Sequence, residues 1–381
     1  MLNFTDEQLM IRDTVREFAR KELEPKAAEI DQTMEFPAAA LRQMGELGFL
    51  GIPFSSAYGG GDLDTVSYVL MIEELARACG ATALSVAAHC SLCATPIYLF
   101  GSETQKQKYL PDLLSGRKLG SFCLTEPHSG SDAAALTTTA TREGEHYVLN
   151  GSKMYVTNGG HAGVYVVFAR SNPALPKTQG ISAFIVEREF PGVLIGKKEN
   201  KLGVRASDTR QISFDHCRVP ATNLLGAENE GFKYAMQILD AGRIGIGAMA
   251  VGLAQAALDK AAAYSRERRA FGKTISEFQA IRWYLADMAT EIHAARLMVH
   301  HAAQLRDAGR PFVKEAAMAK LFASEMAMRA CTRAIQIFGG YGYLMDYPVE
   351  RYWRDAKLTE IGEGTSEVQR MIISREVLKE F

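Results

Sequence analysis

Near Gly120 the chain stops repeating every three to four residues and begins to alternate, and near Ala227 it changes back. A helical period cannot be laid down as a sheet, nor an alternating one as a helix, so the order helical, β, helical follows before any motif is considered. In the first part Thr5 and Gln8 form a capping-box pattern, and Gln8, Ile11, Val15, Phe18 and Glu22 share one helical face. Further helical stretches are expected over residues 38–47, 65–79 and 103–115. In the middle part VYVVFAR, ISAFIVERE and QISFDHCRV are short β-rich runs. EHYVLNGSKMYVT alternates on both sides of Asn150-Gly151, a pair that predicts a hairpin turn. No helical pattern separates these strands, so an antiparallel sheet is expected.

In the last part Ile281, Leu285, Met288, Ile292, Ala295, Val299 and Ala302 form an alternating four-three apolar seam, with Ser276 and Gln279 as its expected cap. Alanine-rich helices over 230–266 and 312–338 flank it, and a final helix is expected behind a Ser366/Gln369 cap. Four helices with apolar faces predict a bundle. The fold class is therefore α+β, mostly α: an α-helical domain over 1–115, an antiparallel β-domain over 116–226 and a four-helix bundle over 227–381.

Composition narrows the function classes. Of 381 residues, 43 are Lys or Arg and 44 Asp or Glu, so no charge footprint points to nucleic acid or an anionic membrane. The apolar run SYVLMI breaks at Glu73 and Glu74, no spanning segment is expected, and the acidic start of the chain lacks a signal pattern. A cytoplasmic location is expected. The six cysteines are dispersed except for HCSLC at 89–93, and they read as buried free thiols rather than metal ligands. GIGAMA at 245–250 matches a dinucleotide fingerprint, but a helical segment precedes it where a strand is required, so its small residues are assigned to helix packing.

Five segments carry polar groups or glycines that suit a bound ligand, although each by itself reads equally as a polar turn or a glycine-capped helix end. LTEPHSGSD (124–132) gathers Thr125, Ser129 and Ser131, and YVTNGG (155–160) sets Tyr155 and Thr157 beside a glycine pair. SRERRAFGK (265–273) and QIFGGYG (336–342) offer guanidinium and bare glycine backbone, apt partners for a pyrophosphate. In LTEIGEGTSEVQR, Glu363 stands between Gly362 and Gly364, as a side chain projected into a crowded space would.

LTEPHSGSD, NGSKMYVTNGG, LDAGRIGIGAMAVG, RERRAFGK with EFQA, QIFGGYGY, YPVERYWRDAK and EGTSEVQR stand in one order between residues 124 and 370. In that order they resemble the acyl-CoA dehydrogenase family, over essentially the whole chain. The resemblance implies FAD, α,β-dehydrogenation of an acyl-CoA to a trans-2-enoyl-CoA, and reoxidation by electron-transfer flavoprotein. By the same resemblance Thr125, Tyr155 and Thr157 match positions at the flavin ring, while Arg268, Phe271, Gln279, Gln336 and Gly340 match positions at the ADP half. A neighbouring subunit shares that half, so a homotetramer is implied. Thr365 and Glu367 match further FAD contacts, and Ser131, Asp240, Arg243 and Gly364 match positions at the substrate.

Glu363 matches the family's catalytic carboxylate, whose N–H, with a ribityl hydroxyl, stabilises the enolate oxygen. Some members carry the base instead just before the arginine matched by Arg243, and here that position is Gly242. Two departures stand out. Gly362 replaces a tyrosine common in straight-chain members and predicts a wider pocket admitting branched, cyclic or otherwise bulky acyl groups. His128 stands where a small residue is common. Oxidase-like, decarboxylating or reductive members share this pattern, and a non-enzymatic helical protein is the alternative from another class, marked by absence of flavin colour.

Overall fold

A computed structural model describes residues 4–381. The N-terminal helices are α1 (Asp6–Phe18), α2 (Ala27–Thr33), α3 (Ala38–Glu46), α4 (Thr65–Ala78), α5 (Gly80–Ala87), α6 (Thr95–Phe100) and α7 (Glu103–Leu114). Thr5 and Gln8 close the expected capping box on α1. The strands are β1 (Leu119–Cys123), β2 (Thr139–Glu143), β3 (His146–Thr157), β4 (Ala162–Arg170), β5 (Ile181–Glu187), β6 (Val193–Lys198), β7 (Thr209–Pro220) and β8 (Leu224–Leu225). The chain then runs through α8 (Gly231–Glu267), a short β9–β10 ribbon (Arg269–Ala270, Lys273–Thr274), α9 (Gln279–Asp307), α10 (Val313–Phe338), α11 (Val349–Thr359) and α12 (Ser366–Leu378).

The sheet runs β6-β7-β3-β2-β4-β5-β8, with β1 added beside β4. It is mixed, not antiparallel throughout: β1 pairs with β4 in parallel, Leu119 opposite Ala162 and Cys123 opposite Val167. A parallel pair needs a long crossover. The β2–β3 hairpin supplies it in place of a helix, so the absence of a helical period did not exclude parallel pairing.

A second correction concerns Asn150-Gly151, which turns nothing. Both residues lie inside β3, and the chain reverses instead at Gly144-Glu145, between Glu143 and its partner His146. The Asn-Gly pair marks a shift of register against β7 between Leu149 and Gly151. A Cβ on Gly151 would lie 2.7 Å from Thr138 Cα, so glycine is required by a close backbone approach rather than by a turn.

Sheet alternation divides the core. Val164, Val166 and Phe168 of β4 pack with the helices, while Tyr165, Val167 and Ala169 pack into a second cluster on the other face with Tyr147, Phe184 and Phe214. With both faces covered, VYVVFA reads as a continuous apolar run. His89 of the HCSLC segment couples helices to sheet: its Nδ1 accepts the N–H of Gly120 at 2.9 Å and its Nε2 lies 3.0 Å from Leu113 O. Burial depresses its pKa to about 4, so it stays neutral. All six cysteines are free and buried.

The bundle helices fall where the seam placed them. Met288, Ile292, Ala295, Val299 and Ala302 are buried, while Ile281 and Leu285 are half-buried at the start of α9. Gly247 and Gly252 of α8 lie against Val299 and the Glu73 backbone so closely that neither position has room for a Cβ. The caps differ from expectation. The capping box ahead of α9 is Thr274 with Glu277, and Thr365 caps α12, because Gln369 is turned back toward the preceding loop. Two stretches, Gly80–Phe100 and Gly231–Glu267, are long and apolar enough to cross a membrane, contrary to the sequence expectation; 83% and 89% of their apolar windows are buried inside this fold. They are core helices.

Candidate active site

The site begins where α11 ends. The N–H groups of Ile361 and Gly362 both donate to Leu358 O, at 2.9 and 2.8 Å, and wrap the chain into a tight turn. Glu363 and Gly364 then adopt φ values of +53° and +98°. A non-glycine residue in that region stores of order 1–3 kcal/mol and persists only where its surroundings hold it. They do. Lys320 Nζ donates to Gly364 O at 2.6 Å, and Gln369 Nε2 donates to the same oxygen at 2.9 Å and to Glu363 O at 3.4 Å. Its φ favours glycine at 364, and a Cβ there would lie 2.8 Å from Gln369 Nε2 and push that side chain from its two carbonyls.

The turn sends the Glu363 side chain inward against α8. Its Oε2 is inaccessible to water and has no hydrogen-bond partner among the described residues. Gly242 faces it with no side chain, and Leu92 Cδ2 completes the wall, 3.3 Å from where a Cβ on Gly242 would lie. Burial raises the carboxyl pKa to about 7, against the opposing charges of Arg243 and Lys320. Arg243 is itself buried, paired with Asp240 one turn earlier, and its Nε is also unpartnered. The N–H of Glu363 has no acceptor among the described residues. A proton acceptor strengthened by desolvation thus sits beside a free amide donor.

Thr125, Tyr155 and Thr157 come together at one end of the sheet. Thr125 O accepts the N–H of Met154 at 2.7 Å, and Ser121 Oγ donates to Thr157 O at 2.6 Å. The register of β3 slips between Lys153 and Val156, and in that bulge Tyr155 takes a φ of +57° and stands 65% exposed. Below them lies a pair not anticipated from sequence. Glu126 accepts from Lys153 Nζ at 2.8 Å and from the N–H groups of Thr137 and Thr138, with both side chains of the pair buried. Ser129 spends its hydroxyl locally on Asp132 O, and Ser131 stays exposed, with no hydrogen bond to Asp240 or Arg243. His128 is exposed, 3.2 Å from Thr137 Oγ1.

Arg268 and Gly340 line one cavity of about 470 Å³ with Tyr264, Phe338, Gly339 and Tyr341. The Arg268 guanidinium lies 5.5 Å from the Tyr341 ring centroid, and a Cβ on either Gly339 or Gly340 would meet open space. Bare backbone, a guanidinium and aromatic walls fit the ADP half of a dinucleotide. Phe271, Gln279 and Gln336 are exposed on the β9–β10 ribbon, the start of α9 and the end of α10, outside that lining. Glu367 is exposed on the first turn of α12. Within one chain, then, Ser131, Phe271, Gln279, Gln336 and Glu367 stand exposed, outside the cavity that Arg268 and Gly340 line.

Comparison with known proteins gives the family. Residues 5–117, 121–217 and 229–378 match the N-terminal, middle and C-terminal domains of acyl-CoA dehydrogenase respectively. The chain belongs to the acyl-CoA dehydrogenase family, whose members are FAD-dependent oxidoreductases. It is 50% identical over 377 residues to the short-chain specific acyl-CoA dehydrogenase of Clostridium acetobutylicum, covering 99% of each chain. It is 48% identical over 379 residues to the acryloyl-CoA reductase (NADH) of Anaerotignum propionicum, covering 99% of this chain and 96% of that one. Butyryl-CoA dehydrogenase from Megasphaera elsdenii superposes with a TM-score of 0.97 at 46% identity, over 99% of this chain and all of that one. A chain in the structure of the electron transferring flavoprotein of Acidaminococcus fermentans superposes with a TM-score of 0.98 at 51% identity, over the whole of both.

Proposed function

We propose that this acyl-CoA dehydrogenase oxidises short acyl-CoA thioesters between Cα and Cβ, with Glu363 as the base that removes the α-proton. The observation that carries the reading is the buried, unpartnered Oε2 of Glu363, facing the bare backbone of Gly242. An α-proton of a thioester is weakly acidic, and a carboxyl raised to about 7 accepts it far better than one at the ordinary value of about 4.3. The proton is taken at Oε2. The negative charge that develops on the thioester oxygen is met by the free N–H of Glu363, a donor fixed before the reaction begins. Burial excludes water from Oε2.

Thr125, Tyr155 and Thr157 would hold the flavin ring of FAD. Arg268, Phe271, Gln279, Gln336 and Gly340 would hold its ADP half, with Thr365 and Glu367 beside the base. When bound, FAD supplies the acceptor for the hydride that leaves the β-carbon. Ser131, Asp240, Arg243 and Gly364 would contact the CoA ester. Because Phe271, Gln279 and Gln336 lie outside the cavity of Arg268 and Gly340, we infer that a second copy completes the cofactor site in a homotetramer. Electron-transfer flavoprotein is the proposed acceptor, the cytoplasm the proposed location, and 1–115, 116–226 and 227–381 the proposed domains. The similarity to short-chain and butyryl-CoA relatives supports a short acyl group.

The test is the anaerobic visible spectrum of the purified protein before and after butyryl-, octanoyl-, isobutyryl-, isovaleryl- or cyclohexanecarbonyl-CoA. Butyryl-CoA should bleach the wild type and leave Glu363→Gln yellow. The branched and cyclic arms test the widening expected from Gly362. A yellow wild-type protein that no thioester bleaches would remove the reaction.

A further inference from the structure

Lys320 occupies a position on α10 where alanine is the rule. Ala316, Ala319, Ala323 and Ala327 are all buried on the same face, and Lys320 is itself 0% exposed. Its ammonium makes one hydrogen bond, to Gly364 O, and forms no ion pair among the described residues. A buried ammonium without a carboxylate is costly, and a methionine would fill the same volume without that cost. The next turn of α10 grips the same region: Ser324 Oγ donates to Thr359 O at 2.8 Å, at the end of α11. Helix α10 thus holds both ends of the segment that carries Glu363.

We propose that Lys320 is a positioning residue for the Glu363 base, its ammonium locking the Gly364 carbonyl so that the left-handed turn aims the carboxyl at α8 and leaves the Glu363 N–H free. This rests on the assignment of Glu363 as base. Gln369 reinforces the lock on the same carbonyl. With Gly364 O tied from two sides, the φ values of +53° and +98° are held, and no internal carbonyl competes for the Glu363 amide. Lys320 also acts by charge. The charged groups acting on it are Glu363 and Glu360 from the loop, Glu367 from α12 and Arg243 from α8. Together with Arg243, Lys320 favours the ionised form of Glu363.

The test uses the FAD-loaded enzyme and (methylthio)acetyl-CoA, whose sulfur replaces the β-carbon and so blocks hydride transfer. Exchange of its α-hydrogens with D2O, followed by mass spectrometry from pH 5.5 to 9, reports proton removal alone. Lys320→Met should retain FAD, exchange about 100-fold more slowly at pH 7, and show its rising limb at higher pH than wild type. Lys320→Arg, which keeps donor and charge, should restore the position of the limb. Should Lys320→Met fail to hold FAD, Lys320→Gln keeps a donor without the charge, and its limb must still move upward. Variants that lose thermal stability but exchange within twofold of wild type, with the limb unmoved, would overturn the proposal. Exchange that Glu363→Gln retains at the wild-type rate would instead refute Glu363 as the base.

Discussion

The Cβ that Gly242 lacks would fall on Oε2 of Glu363. One position on α8 and one in the loop after α11, 121 residues apart in sequence, therefore compete for the same space. A side chain at 242 and the carboxyl of Glu363 cannot both occupy it. Gly242→Ala should displace the carboxyl and slow flavin reduction by butyryl-CoA about 100-fold, with FAD content unchanged. Stopped-flow absorbance on the holoenzyme measures it.

Activity should rise with pH as Glu363 loses its proton, along a limb centred near 7. The sign follows from burial, which raises the carboxyl and leaves the base protonated in acid. Glu363→Gln should lower the rate of flavin reduction by about 10² to 10⁴ and abolish that limb. A pH series of single-turnover reductions checks both.

Gly340 borders open space in the cavity shared with Arg268. A leucine there would fill volume that the proposed ADP site leaves open. Gly340→Leu should purify with less flavin, read as the ratio of visible to ultraviolet absorbance, while circular dichroism shows its helix content unchanged.

Lys153 and Glu126 are buried together beneath Thr125. Burial alone would push the Glu126 carboxyl up, but Lys153 and the N–H donors of Thr137 and Thr138 outweigh it and hold the group at about 2. Lys153→Met leaves that carboxylate unpaired and should cost ~3–5 kcal/mol. Adding Glu126→Gln should recover part of the loss. Chemical denaturation of the holoenzyme compares the three proteins.

Asp355, buried on α11, accepts the N–H of Val204 at 2.5 Å. Burial raises it to about 7, although the Val204 N–H opposes the shift. The folded chain therefore keeps a proton that the unfolded chain releases near 4, and stability falls as pH rises from about 4 to 7. Asp355→Asn should remove that fall. In a Glu363→Gln background, where the other carboxyl raised to about 7 is gone, the Tm of Asp355→Asn relative to its parent should climb between pH 5 and 8.

Much of this was legible in the residues. The alternating run of β4 and the seam from Met288 to Ala302 are local patterns, and each folded as its period requires. The glycines on both sides of Glu363 raised the question of its backbone and space, but only the family motif singled it out from an ordinary turn residue. Lys320 left a fainter signal, a charge at an alanine position of an apolar face. Other features left none. Asn150-Gly151 has the composition of a turn but serves a bulge, because Thr138 passes too close for a side chain. Ser366 and Gln369 have the spacing of a cap, but Gln369 is drawn away by two carbonyls of the base loop.

The sequence by itself determined the order helical, β, helical and the longest helices and strands, and it marked the family motifs, since period and motif depend on neighbours along the chain. Only the tertiary structure decided that β1 lies parallel to β4, that Gly242 makes room for Glu363, and that an ammonium on α10 holds the turn that aims it. Each of those is a contact between segments distant in sequence, set by distances of a few ångströms that no local pattern encodes.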